Sequence, residues 1–210
     1  MAKGRAVWRV VGAVAGLGLG ASTALLAGPA RATTLAPGNS ITFGAYTVEV
    51  NSCSIALCDT AEMSAVGSGG FVITGAGGST LLDTSSAIED LSVTFEVTTA
   101  TPILNKVVLQ AAGGNTGTGL AKVDENAFDS SFSGIGFGTA FAGGASTTIS
   151  FALGPYDDIF LTKDISANPG EDGTATIDSV TQLFAVPEPA SIGVLGMGLM
   201  ALLVRKRRRS

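Results

Sequence analysis

Apolar and polar residues alternate without a break along Leu91-Ser-Val93-Thr-Phe95-Glu-Val97-Thr98, every odd position apolar and every even one polar. Successive side chains of a strand point to opposite faces, so this stretch predicts a strand with one buried and one wet face. Similar alternation over residues 41–50 puts Tyr46, Val48 and Val50 on one face. Further strands are predicted over residues 70–74, 79–83, 103–111, 146–153, 159–165 and 174–184. In the last of these the apolar phase slips between Ile177 and Val180, which predicts a bulge near Asp178 and Ser179. Glycine clusters such as Gly67-Ser-Gly-Gly70, Gly75-Ala-Gly-Gly78 and Gly170-Glu-Asp-Gly173 separate the runs. Many short strands, Gly-rich turns and no convincing amphipathic helix predict an all-β fold: a jelly-roll-like β-sandwich of short antiparallel strands. A short helix is expected over residues 86–90. Residues 124–144 carry Phe128, Phe132, Phe137 and Phe141 among glycines and serines with no single period, and are expected to form a long surface loop.

The two ends differ from this body. Lys3, Arg5 and Arg9 precede an uncharged run over residues 10–28, followed by Pro29-Ala30-Arg31-Ala32. A basic start, an apolar run and small residues at Ala30 and Ala32 are the layout of a secretory signal peptide, residues 1–32, cleaved after Ala32 by signal peptidase. At the other end, Val186-Pro187-Glu188-Pro189 is followed by fifteen uncharged residues, 190–204, and then Arg205-Lys206-Arg207-Arg208-Arg209. Fifteen helical residues reach about 22 Å, short of a hydrocarbon core of about 30 Å. The cation cluster at a cytoplasmic face, with side chains snorkelling outward, makes a single transmembrane helix of this segment, and the body then lies outside. The expected organisation is a signal peptide over 1–32, an exported sandwich over 33–185 and a terminal signal over 186–210.

Charge follows the same division. Residues 33–186 hold three lysines (Lys106, Lys122, Lys163) against sixteen acids, a formal balance of −13 that the whole-chain value of −5 conceals. Such a surface repels nucleic acid and anionic lipid. Cys53 and Cys58 are the only cysteines. In an exported chain they are expected to close a small disulfide loop, in preference to a redox pair or half a zinc site.

The chain has no histidine, which removes Ser-His-Asp and Cys-His nucleophilic sites and His-based metal sites. A glycosidase-type carboxylate pair is what remains for catalysis, and the exported part lacks tryptophan for stacking sugars. The body is therefore expected to be non-enzymatic, with a secreted glycan hydrolase as the remote alternative. No cofactor is expected unless calcium, for which Asp157, Asp158 and Asp164 are weak candidates, as are Asp124-Glu125 with Asp129, and Glu171-Asp172. A calcium- or carbohydrate-binding module is the nearer alternative function.

The tail closely resembles the PEP-CTERM sorting domain of exported bacterial proteins. The resemblance implies that Val186, Pro187, Glu188 and Pro189 are the recognition motif of an exosortase, residues 190–204 the helix, and Arg205, Lys206, Arg207, Arg208 and Arg209 the cytoplasmic stop. The strand region Lys163-Asp-Ile165 and Val180-Thr-Gln-Leu-Phe184 also looks like what precedes this signal in many members. The family implies a Gram-negative bacterium, transient anchoring in the inner membrane, and a final place at the cell surface or in the matrix, with exopolysaccharide or other biofilm proteins as partners. Its members share the tail and not one activity.

Overall fold

The computed structural model describes residues 32–184, except 55, 85–87, 146 and 152–153. The strands are β1 (Thr33–Thr34), β2 (Ser40–Phe43), β3 (Tyr46–Cys53), β4 (Glu62–Val66), β5 (Gly70–Thr74), β6 (Leu82–Thr84) and β7 (Glu89–Thr99). After these come β8 (Lys106–Thr116), β9 (Leu120–Asp129), β10 (Gly134–Phe141), β11 (Thr147–Ser150), β12 (Asp158–Asn168) and β13 (Thr174–Phe184). They form two sheets, in the orders β1-β4-β5-β13-β8-β11, with β6 also on β13, and β10-β9-β12-β7-β3-β2. Every ladder is antiparallel. Within them, β5-β13-β8-β11 faces β7-β12-β9-β10, and the chain crosses from sheet to sheet in the order of two nested Greek keys, the jelly-roll path.

Strand phase dictates what lies between the sheets. Leu91, Val93, Phe95 and Val97 of β7 are all buried, as are Tyr46, Val48 and Val50 of β3. Phe71 and Phe184 from one sheet meet Phe43, Tyr46 and Phe95 from the other, with ring centroids 4.8 Å apart for Tyr46 and Phe184 and 5.1 Å for Phe71 and Phe95. Burying each such ring stabilises the fold by about 1.5–3 kcal/mol. At one flank Gly136 and Gly138 of β10 come so close to Ile149 of β11 that a Cβ at either would lie 2.7 Å from it. Glycine there lets the two sheets approach at their edges.

β13 spans the predicted residues, and its register shifts between Ile177 and Ser179, the expected bulge. The apolar run over residues 41–50 is two strands and not one. Gly44, with φ +56°, opens a two-residue turn that pairs Phe43 with Tyr46. The expected loop over residues 124–144 is instead most of the β9–β10 hairpin. Its alternation is hidden because small residues point inward (Ala121, Val123, Ala127, Ala140) while Phe137 and Phe141 point out. Of the expected helix, Glu89 and Asp90 begin β7, paired with Ala167 and Ser166 of β12, and residues 86–87 lie outside the described ones. Cys53, at the end of β3, is joined to Cys58 in a single 3-10 turn, Ala56–Asp59. No helix among the described residues is long and apolar enough to cross a membrane. The expected spanning segment, 190–204, and the signal peptide through Arg31 lie outside them.

Candidate functional site

The space between the sheets is apolar with few exceptions. Among the described residues the buried polar side chains are Thr84, Glu125, Lys163 and Gln182. Thr84 donates its hydroxyl to the Ala175 carbonyl. The other three converge.

Each owes its place to strand phase. β12 turns Ile159, Leu161, Lys163, Ile165 and Ala167 inward, β9 turns Ala121, Val123, Glu125 and Ala127 inward, and β13 turns Val180, Gln182 and Phe184 inward. Lys163 and Glu125 are directly opposed in the β12–β9 ladder, while Gln182 comes from the facing sheet. Lys163 Nζ donates to Glu125 Oε2 and to Gln182 Oε1. All three side chains are wholly buried. Burial pushes the Lys163 amine well below its ordinary range, because an ammonium loses its hydration there. Glu125 Oε1 and Gln182 Nε2 find no partner. An orphaned buried polar atom costs about 1–3 kcal/mol, so this cluster opposes folding where an aliphatic trio would favour it.

On the outer face of the same sheet the next residues along form an acidic row. Asp124 is opposite Asp164 across the ladder and opposite Thr139 on β10. Lys122 Nζ lies 2.5 Å from Asp124 Oδ2, and Thr139 donates to Asp124 Oδ1 at 2.5 Å. Partial burial of Asp124 raises its pKa, but the bonds from Lys122 and Thr139 outweigh this and hold it below the usual carboxylate range. Lys122 is raised in turn, chiefly by its bond to Asp124. Asp164 is raised to about 6, first by a hydrogen bond with Asp90, then by desolvation and the charges of Asp90 and Asp124.

The calcium candidates are not brought together. Asp158 and Asp164 point to the same face of β12, six residues and roughly 20 Å apart, with Asp157 just ahead of the strand. Asp158 is raised by burial and by Glu96 and Asp157. Asp124 points out and Glu125 points in, while Asp129 caps the β9–β10 turn, accepting from the Ser131 and Ser133 amides and the Ser131 hydroxyl. Glu171 and Asp172 sit in an exposed turn where their amides donate to Thr118 Oγ1. Among the described residues no three such side chains form a group able to hold a metal ion.

The outer face also carries aromatic rings. Phe132, 67 % exposed at φ +60°, stacks on Phe160 with centroids 4.6 Å apart. Phe128 pairs with Phe160 across the ladder, and Phe137 and Phe141 project outward from β10.

In the sequence alone Lys163 counts toward the net charge and opens the strand stretch Lys163-Asp-Ile165, Glu125 falls in a calcium set, and Gln182 lies within Val180-Thr-Gln-Leu-Phe184 with no role of its own. The missed signal is phase: each interrupts an inward-facing apolar series with one polar residue, visible once the strands are set. Ala32 is the first described residue, and Ala30, Val186 to Pro189 and Arg205 to Arg209 lie outside the described ones. Residues 185–209 match the PEP-CTERM protein-sorting motif. That motif implies an exported protein processed by an exosortase. No curated protein matches the chain.

Proposed function

We propose that the chain is a non-enzymatic protein of the bacterial cell surface or extracellular matrix, exported as a jelly-roll domain and freed from its tail by an exosortase. The sorting-motif match over residues 185–209, placed directly after β13, carries this reading. Signal peptidase removes residues 1–32, the helix over 190–204 holds the chain in the inner membrane of a Gram-negative cell, and Arg205 to Arg209 stop it at the cytoplasmic face. The acidic body, with three lysines against sixteen acids, suits a soluble matrix component that stays clear of anionic lipid. Intact mass of the protein recovered from its own host tests the proposal. A species lacking residues 1–32 and the arginine tail is expected, and full-length protein with Arg205 to Arg209 attached in an exosortase-competent cell would sink it.

A second reading, a module that binds matrix polysaccharide, draws on the exposed rings of Phe132, Phe137 and Phe141 beside Phe160. Apolar sugar faces stack on such rings, and neighbouring carboxylates and threonines accept or share hydroxyl hydrogen bonds. Calorimetric titration with the host's polysaccharide, with and without calcium, is expected to give heat that Phe132→Ala reduces. A flat titration of the parent protein removes this reading and leaves the sorting proposal standing.

A further inference from the structure

We infer that Lys163, Glu125 and Gln182 are the reactants of a spontaneous cross-link, an amide bond between Lys163 Nζ and Gln182 Cδ that joins the two sheets through the core.

Three roles are needed and three side chains are present. A primary amine acts as a nucleophile only when neutral, and desolvation favours that form; an apolar pocket is the standard means of activating a lysine. Gln182 supplies the electrophile: its Oε1 already accepts a hydrogen bond from Nζ, and Cδ is one bond behind it. Glu125, hydrogen-bonded to the same nitrogen, is the only buried carboxyl group among the described residues and can move protons where water cannot reach. Fixing all three on strands of a packed sandwich replaces a bimolecular encounter with a standing one, and well-aligned groups held in this way react as if at an effective concentration of about 10⁵–10⁸ M.

The step balances. With the shared proton on Glu125, Nζ is an amine and Glu125 a carboxylic acid. The amine nitrogen adds to Cδ as the acid protonates Oε1, and the resulting carboxylate takes a proton from Nζ. Oε1 returns its proton as the carbonyl re-forms, the relay delivers a proton to Nε2, and the Cδ–Nε2 bond breaks. Lysine amine plus glutamine carboxamide gives one secondary amide and one ammonia. Nothing is oxidised or reduced, and Glu125 ends as it began.

One of the two orphaned atoms fits this outcome. Gln182 Nε2, buried without an acceptor, is the atom that departs as ammonia. A cluster that burdens the fold before reaction becomes a covalent tie between β12 and β13 after it. Such a tie suits a domain released outside the cell, where no chaperone can refold it.

The test is a tryptic map of the full chain, denatured and reduced. Trypsin does not cut after an acylated lysine, and between Lys122 and Arg205 the chain offers it Lys163 alone. Expected is a peptide beginning at Val123 and running uncut through Lys163, lighter than its sequence by one ammonia, with fragment ions placing the branch between Lys163 and Gln182. Lys163→Met, which keeps an unbranched apolar chain in the core, is expected to show full mass. Glu125→Gln is expected to lose the cross-link and regain cleavage at Lys163. Complete cleavage at Lys163 in the parent chain overturns the proposal whether or not the variants fold, as does a deficit of one water with the branch at Glu125. Cross-linking of Glu125→Gln as complete as in the parent overturns the role given to Glu125.

Discussion

Lys163 and Glu125 form a cross-strand pair on the inner face of the six-stranded sheet, and their chain neighbours Asp164 and Asp124 form another on its outer face. The pleat sends adjacent residues to opposite sides, so one stretch of ladder sets an amine beside its acid where water is excluded and two carboxyl groups together where it is not. The inner pair is the one whose breaking costs stability. Glu125→Leu leaves the lysine amine buried without its acid, and a loss of about 1–3 kcal/mol, the cost of an orphaned buried polar group, is expected. Combining Lys163→Met with Glu125→Leu removes the orphaned amine but leaves Gln182 buried without its donor, and is expected to recover part of that loss. Urea unfolding followed by tyrosine fluorescence checks both, and a double variant no more stable than Glu125→Leu alone would contradict it.

The outer pair sets a pH dependence. Asp164 is held at about 6 against an ordinary value of 3.8, first through its hydrogen bond with Asp90. The folded chain thus keeps a proton that the unfolded chain gives up sooner. The resulting stabilisation is complete below about 3.8, declines as pH rises and is gone above about 6. Asp164→Asn abolishes this titration, so the parent is expected to lose stability relative to the variant across that window. Chemical denaturation at several pH values makes the comparison, and parallel profiles would show that the Asp90 contact carries no energy. Asp164 is solvent-exposed, so added salt should flatten the difference.

Strand phase explains why part of this was legible beforehand. β7 and β13 alternate cleanly, and even the bulge at Asp178 shows as a slip between Ile177 and Val180. The β9–β10 hairpin is hidden because its inward positions are alanines, glycines, a valine, a single isoleucine and Glu125, while its large rings face solvent. Hydrophobic alternation therefore points the wrong way there. The Lys163 cluster was hidden for a related reason: a charge reads as surface until the strand around it is known to be buried on that side. Pairing of Glu125 with Lys163 also depends on register between residues 38 apart in sequence, which no local pattern carries.

The disulfide between Cys53 and Cys58 closes a loop five residues in sequence separation and ties the 3-10 turn Ala56–Asp59 to the end of β3. So short a loop restricts the unfolded chain little, and about 2 kcal/mol is expected from chain entropy. Replacing both cysteines by alanine should lower the urea midpoint modestly and leave the sheets intact by circular dichroism. Loss of cooperative unfolding would mean that the bridge does more than pin a turn.

Gly113 and Gly114 are adjacent on β8, beside the β13 bulge, yet their tolerance for a side chain should differ. Gly113 pairs with Ile177 at the point where the register shifts, with φ +148°, and a Cβ there would lie 2.2 Å from the Thr176 carbonyl oxygen and 3.0 Å from Ile177 Cα. Both obstacles are backbone, held by the ladder, and cannot rotate aside. Gly113→Ala therefore meets a clash as well as an unfavourable dihedral, and the dihedral alone costs about 1–3 kcal/mol. At Gly114 a Cβ meets nothing within 4 Å and φ is ordinary. Alanine also loses less chain entropy on folding than glycine, so Gly114→Ala is expected to be neutral or to stabilise by about 0.5–1 kcal/mol. Urea midpoints of the two variants measured side by side test this. Equal destabilisation would indicate that β8 and β13 shift to admit a methyl group at either place, and that the bulge does not fix their register.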